Sequence, residues 1–174
     1  MWTSVVFLAA SSLLPAQGSS LTLTNVRPTS GMLGTPRADS KYLPGDSLFL
    51  AFDIDGIKID DNGLALYSIG MEVVNSQGKS VFKQEPKNLE ALNALGGNRL
   101  PAHVHLDIGL EQPPGDYSIK LIVNDRAAKS TQSVTHKFTV LAKGFGLVRL
   151  ATTDDLEGQV PATPLSVVGQ LLYV

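Results

Sequence analysis

Apolar and polar residues alternate along most of the chain between residues 20 and 140, which is the pattern of half-buried β-strands. The segment SLFLAFDI, for example, places four large apolar side chains on one face: Leu48, Leu50, Phe52 and Ile54. This period of two predicts about seven strands, at residues 20–26, 47–54, 67–74, 79–84, 103–108, 116–125 and 134–140.

Between these segments lie stretches rich in Pro, Gly, Asn and Asp, the residues that favour chain reversal. They are LPGD at 43–46, DDNG at 60–63, NSQG at 75–78 and PPGD at 113–116. One segment breaks the alternation: KNLEALNALGG, at residues 87–97, predicts a short helix capped by Asn88 and stopped by Gly96. About seven short strands with one short helix predict an all-β, antiparallel β-sandwich.

Tyr117 stands at the start of a predicted strand, directly after the turn PPGD. A tyrosine there can pack its ring inward while its hydroxyl bonds to the backbone at the corner of the sheet. This PGDY strand, with YLPGDSLFLAFDI before it and THKFTVL after it, resembles the bacterial immunoglobulin-like and fibronectin-type modules of secreted and surface proteins. The resemblance covers roughly residues 20–142 and implies an Ig-like module, predicted at residues 19–142, for binding, adhesion or spacing, with no shared catalytic residues.

Residues 1–18 have the pattern of a secretory signal peptide. The stretch from Val5 to Leu14 is apolar, and the small residues Ala16 and Gly18 precede a predicted cleavage before Ser19. A buried N-terminal strand or short helix is the alternative. No later stretch reaches the roughly 18 apolar residues of a membrane span. We therefore expect an exported protein, periplasmic, cell-surface or extracellular, without membrane insertion.

Composition narrows the function further. The 174 residues are 43% hydrophobic and 17% charged, as in globular proteins, so wholesale disorder is excluded. The absence of cysteine excludes disulfides, thiol catalysis and thiolate metal sites. With no Asn-x-Ser/Thr sequon either, the chain suits a bacterial exported protein. A net charge of −2 without a Lys/Arg cluster predicts no nucleic-acid partner.

Residues 145–174 align with residues 21–50 without a gap. Six positions are identical, and their second copies are Leu147, Thr153, Gly158, Ala162, Gly169 and Leu172. The alignment predicts an internal repeat, with a junction at 143–144 and an incomplete second β-module at 145–174. The alternative is a complete tail that donates its last strand, residues 167–174, to a sheet edge of this or another molecule, giving strand-mediated self-association.

Two groups of side chains could bind a metal. His103, His105 and Asp107 stand at every second position and should share one face of a strand, where two imidazoles and a carboxylate can chelate Zn²⁺ or Cu²⁺. A solvated polar face is the alternative. His136 lies in register with inward residues and should point to the core.

The second group is the acid-rich stretch FDIDGIKIDDNG, in which Asp53 and Asp55 offer oxygen ligands for Ca²⁺. The spacing departs from that of an EF-hand loop, and residues 60–63 are better explained as a hairpin turn that uses Asn-Gly.

Motifs for catalysis are missing. The chain has no G-x-S-x-G motif, and Ser80 and Lys83, its one S-x-x-K pair, face opposite sides of a predicted strand. We therefore expect no enzymatic activity and no cofactor. The leading hypothesis is a non-catalytic module that binds a protein or glycan ligand or acts as a spacer. The alternatives are a metal- or calcium-dependent binding domain and a hydrolase with a site on its loops.

Overall fold

A computed structural model of the chain describes residues 20–32, 34–94, 96–148, 152–160, 162, 168, 171 and 173. The predicted signal peptide and most of the segment 167–174 lie outside the described residues. Within the described ranges, all regular secondary structure is β-structure. This part of the chain contains no helix that is long and apolar enough to cross a membrane.

The described ranges contain eight strands in two sheets. In chain order the strands are β1 (Thr22–Thr29), β2 (Lys41–Tyr42), β3 (Ser47–Asp55), β4 (Leu64–Asn75), β5 (Ser80–Leu92), β6 (Arg99–Asp107), β7 (Gly115–Asp125) and β8 (Ser130–Val140). One sheet has the order β1-β3-β6, and the other has the order β2-β8-β7-β4-β5. Neighbouring strands are antiparallel except β2 and β8, which run parallel.

The two sheets pack face to face through the apolar rows that the alternation predicts. Leu48, Leu50 and Ile54 on β3 are completely buried. Ile119 and Leu121 on β7 are completely buried as well, and all five side chains belong to one hydrophobic cluster. Full burial of one such side chain contributes about 1.5–3 kcal/mol, so these rows are the main stabilising feature of the fold. The protein is a β-sandwich, as predicted.

The predicted helix at residues 87–97 is wrong. Its first half belongs to β5, where Leu89 pairs with Tyr67 and Leu92 pairs with Leu64 of β4. β5 is a 13-residue edge strand with mostly exposed side chains, so burial does not enforce alternation along it. The hydrogen bonds offered by β4 override the local helix preference of a leucine-rich segment. Gly96, with φ 76°, lies in a turn and does not stop a helix.

The predicted count of about seven strands is corrected to eight in the described ranges. The additional strand, β2, is only two residues long, and it pairs Lys41 with Thr139 and Tyr42 with Val140. A segment of two residues is too short to show an alternating pattern, so only the neighbouring strand reveals it.

Two predicted turns form with the expected chemistry. At residues 60–63 the N–H of Gly63, which has φ 80°, donates to the carbonyl of Asp60 at 2.9 Å. At residues 75–78 the N–H of Gly78, with φ 77°, donates to the carbonyl of Asn75 at 2.9 Å. In both turns glycine occupies the backbone conformation that other residues rarely adopt.

Candidate functional site

The polar candidates from the sequence lie on the side of the three-stranded sheet that faces away from the five-stranded sheet. On β3 and β6, side chains that point to the core alternate with side chains that contact solvent. We call the solvent side the outer face. Its members on these two strands include Phe49, Ala51, Asp53, Asp55, Arg99, His103, His105 and Asp107.

The register between β3 and β6 brings both predicted metal-binding groups onto this one face. His105 pairs with Phe49, and His103 pairs with Ala51. Asp55 lies further along β3, opposite Arg99. In the sequence the histidines and the aspartates are separate candidates, because nothing in the local pattern specifies which strands become neighbours.

Asp55 links all three strands of the sheet. Its Oδ2 accepts a hydrogen bond of 2.5 Å from Thr24 Oγ1 on β1, and its Oδ1 accepts one of 2.5 Å from Arg99 Nε on β6. These two donors, Thr24 first and then Arg99, lower the pKa of Asp55, so the carboxylate stays ionised. Both oxygens of Asp55 are therefore engaged in holding neighbouring strands together.

The other carboxylates of the outer face also accept bonds from adjacent strands. Asp53 Oδ2 accepts from Asn25 Nδ2 at 2.6 Å, and Asp107 Oδ1 accepts from Ser47 Oγ at 2.6 Å. Asn25 has φ 51° and lies where the β1–β3 register shifts, so the irregularity of β1 aims its amide at Asp53. A calcium ion would have to compete with these bonds for the same oxygens.

The two histidines of the outer face are exposed and carry the remaining metal-binding chemistry. The imidazole of His105 stacks on the ring of Phe49, with centroids 5.8 Å apart and an interplanar angle of 26°. His103 is two residues away on the same strand face. Across the described ranges, no three His, Asp or Glu side chains converge as a metal site.

His136 lies on the inward side of β8, as the register predicted, and is half-buried. Its Nε2 is 2.8 Å from Oγ of Ser40, which precedes β2. Burial lowers the pKa of His136 and favours the neutral imidazole. Ser40 was not predicted as a site residue, because the segment before β2 carries no periodic pattern and its partner His136 lies on β8.

A serine hydroxyl beside an imidazole has the contact of a nucleophile with its base. Ser40 lines a surface groove of about 620 Å³, together with Asp116 and Thr139. Burial of the imidazole suits a structural role for this hydrogen bond, in which His136 holds the start of β2 against β8.

The chain matches no protein-family model and no curated protein. Among solved structures it is similar to an alkylpurine DNA glycosylase from Pseudomonas fluorescens, with 13% identity, a TM-score of 0.44, and 72% of this chain and 31% of the glycosylase covered. It is also similar to a CARDB domain from Pyrococcus furiosus, solved in complex with di-metal ions, with 11% identity, a TM-score of 0.43, and 75% and 95% covered.

A third similar structure is the sporulation control protein Spo0M from Bacillus subtilis, with 9% identity, a TM-score of 0.41, and 72% of this chain and 50% of Spo0M covered. The chain thus spans about a third of the glycosylase, at 31%, and half of Spo0M. Likenesses at these identities and TM-scores carry no argument about function, which has to come from the residues of this chain.

Proposed function

We propose that this chain is an exported, non-catalytic, Ig-like β-sandwich module that serves in binding, adhesion or spacing within a larger secreted or surface protein. Two features support the Ig-like assignment. The sandwich consists of a three-stranded and a five-stranded sheet, and Tyr117 forms the hydroxyl-to-backbone bond of a tyrosine corner with Pro113.

The observation that carries the non-catalytic role is the pairing of the outer-face carboxylates. A catalytic acid or base has to exchange a proton with a bound substrate. Asp55 instead accepts bonds from Thr24 and Arg99, and these donors lower its pKa and keep it ionised. The carboxylates of the outer face therefore join neighbouring strands.

Turnover assays test this role directly. The full chain is incubated with a panel of chromogenic esters and glycosides, beside a Ser40→Ala variant that lacks the hydroxyl near His136. We expect both proteins to remain at background. Turnover by the full chain that Ser40→Ala abolishes would assign the groove beside Ser40 to a hydrolase and overturn the proposal.

Export is tested by the N-terminus of the mature protein. When the full chain is expressed in a bacterium, we expect mass spectrometry of the periplasmic fraction to find a chain that begins at Ser19. Ala16→Glu should block cleavage, since a large charged residue does not fit the −3 position, while Ser11→Ala serves as the matched control and should be processed normally. An uncleaved chain in the cytoplasm would contradict export.

Metal binding by the outer-face histidines is the second candidate, and their exposed positions on one strand face favour it. Calorimetric titration with Zn²⁺ and Cu²⁺ measures it on the full chain, with His103→Asn and His105→Asn as variants and His136→Asn as the matched control. Heat that is lost in His103→Asn and in His105→Asn but kept in His136→Asn supports metal binding. The absence of heat with all of the proteins would exclude it. For Ca²⁺ we expect no heat, because the carboxylates already accept hydrogen bonds.

A further inference from the structure

The isolated β-bridge between Thr153 and Tyr173, in the C-terminal segment 145–174, has the register of the β1–β3 pair. Thr29 of β1 pairs with Phe49 of β3 in an antiparallel register. Thr153 pairs with Tyr173, also antiparallel, and the two residues exchange both backbone N–H···O bonds at 3.0 Å. Each residue of the second pair lies 124 positions after its counterpart, which is the offset of the gap-free sequence alignment.

The threonines of the two pairs make the same side-chain hydrogen bond. Thr29 Oγ1 donates to the carbonyl of Gly31 at 2.8 Å, and Thr153 Oγ1 donates to the carbonyl of Asp155 at 2.9 Å. Both threonines are buried, with 5% and 8% of their surface exposed. A buried hydroxyl needs such a partner, so the two copies satisfy the same polar group in the same way.

The turn after each threonine contains the same backbone bond. The N–H of Gly34 donates to the carbonyl of Gly31 at 3.3 Å. The N–H of Gly158 donates to the carbonyl of Asp155, also at 3.3 Å, and each partner again lies 124 positions later.

The hairpin that follows is present in both copies, and its second copy has one additional residue. Ser30 N–H donates to the carbonyl of Thr35, and Asp154 N–H donates to the carbonyl of Val160, both at 3.0 Å. The second bond spans one residue more than the first. A single-residue insertion in a surface turn leaves the flanking strands in place.

The next hydrogen bond of the hairpin also spans one residue more in the second copy. It shows which residues of the two copies correspond after the insertion. The N–H of Arg37 donates to the carbonyl of Pro28 at 2.9 Å, and the N–H of Ala162 donates to the carbonyl of Thr152 at 2.8 Å. By its hydrogen bond, Ala162 corresponds to Arg37 and not to Ala38. The strand bridge that follows returns to an offset of 124, so the insertion is compensated before it.

Equivalent apolar positions in the two copies differ in exposure. Leu21 is 4% exposed in the sandwich core, and its counterpart Phe145 is fully exposed. Leu23 packs against the core, and its counterpart Leu147 is 77% exposed. The second copy thus has the apolar row of a sandwich strand, while the described chain provides no sheet to cover it.

We propose that the bridge between Thr153 and Tyr173 repeats the first strand pair of a sandwich module, with Phe145 and Leu147 in its core-facing row. The partner that fits this row is an apolar sheet face like that of the first module's five-stranded sheet. The inference deepens the proposed spacing role, and rests on it, because tandem modules set a distance between the parts they join.

Amide exchange and cross-strand NOEs on the labelled full chain test the register. We expect an NOE between the amides of Thr153 and Tyr173, and exchange of both amides slowed at least about tenfold relative to an unstructured chain. A cross-strand NOE that connects Thr153 to a residue other than Tyr173, or exchange of both amides at the rate of an unstructured chain, would overturn the repeat.

Threonine variants test whether the two copies use the same side-chain bond. Thr153→Val removes the hydroxyl at nearly constant shape and should lower the protection of the Tyr173 amide several-fold, whereas Thr153→Ser should preserve it. Thr29→Val should have the matching effect on the Phe49 amide. Unchanged protection in Thr153→Val, beside a loss in Thr29→Val, would show that the tail has different bonds.

Light scattering over a concentration series tests whether a second copy of this chain covers the apolar row. We expect the full chain and its Phe145→Ser variant to be monomers. A dimer that Phe145→Ser dissociates would assign the row to an interface between two copies and overturn its assignment to a module core. Leu156→Ser is the matched control, because its counterpart Met32 is exposed in the first module. These measurements involve neither a ligand nor turnover, so their failure is distinguishable from failure of the proposed function.

Discussion

The phenolic hydroxyl of Tyr117 donates a hydrogen bond of 2.8 Å to the backbone carbonyl of Pro113. The ring of Tyr117 is buried and stacks on Phe138 with centroids 5.6 Å apart. One side chain therefore joins the turn before β7 to the core between the sheets. The inward ring and the bond from the hydroxyl to the backbone were both predicted from the position of the tyrosine directly after PPGD.

Tyr117→Phe should lower the free energy of unfolding by about 1 kcal/mol, because it removes the hydrogen bond and keeps the stacked ring. Urea unfolding followed by fluorescence or circular dichroism measures the change. Unchanged stability would show that water replaces the Pro113 contact at no cost.

Tyr42→Phe should have the opposite sign and is the natural control for Tyr117→Phe. Tyr42 is 1% exposed, and among the described residues its hydroxyl has no hydrogen-bond partner. Burial raises the pKa of Tyr42 to about 12. Removing an unpaired buried hydroxyl should raise the free energy of unfolding by about 1 kcal/mol in the same urea experiment. A loss of stability would reveal a partner for this hydroxyl.

Asp125→Ala should be strongly destabilising. Asp125 is 1% exposed, and its carboxylate accepts N–H bonds of 2.7, 2.9 and 2.8 Å from Lys58, Ala127 and Ala128. Its loss leaves three backbone donors without their acceptor, so we expect a decrease of about 3 kcal/mol. Asp125→Asn retains one acceptor oxygen and should lose less. Equal losses in the two variants would contradict this account.

His136→Gln should flatten the pH dependence of stability. Because burial lowers the pKa of His136, the unfolded chain takes up the proton at a higher pH than the folded protein does. The stability contributed by the neutral imidazole is complete above the unfolded pKa of about 6.5 and is lost as the pH falls through the lower pKa of the folded protein.

Urea midpoints at about pH 8 and about pH 5 measure this effect, since the interval brackets the histidine titration. We expect a smaller difference between the two pH values in His136→Gln than in the unsubstituted chain. Thr135→Val, at an exposed neighbouring position on β8, should keep the full difference. If the difference between the two urea midpoints were the same in His136→Gln as in the unsubstituted chain, other titratable groups would cause the pH dependence.

The candidate site was only half predictable from the sequence. The period of two places His103 and His105 on one strand face, and the structure has them there. The partners of the nearby carboxylates depend on strand register: Asp55 finds Thr24 and Arg99, which lie in two other strands. Contacts across such sequence separations have no local signal in the sequence. The donors that bind the Asp55 oxygens could therefore not be predicted.

The sequence by itself determined which residues face the core, where the chain turns at residues 60–63 and 75–78, and that two sheets result, because alternation and turn chemistry act locally. Tertiary structure decided the state of residues 87–92, which pair with β4 instead of forming a helix. It also decided that Ser40 meets His136. In each case the outcome depends on hydrogen bonds from another strand, which are comparable in free energy to local propensity and become available only after the sheets assemble.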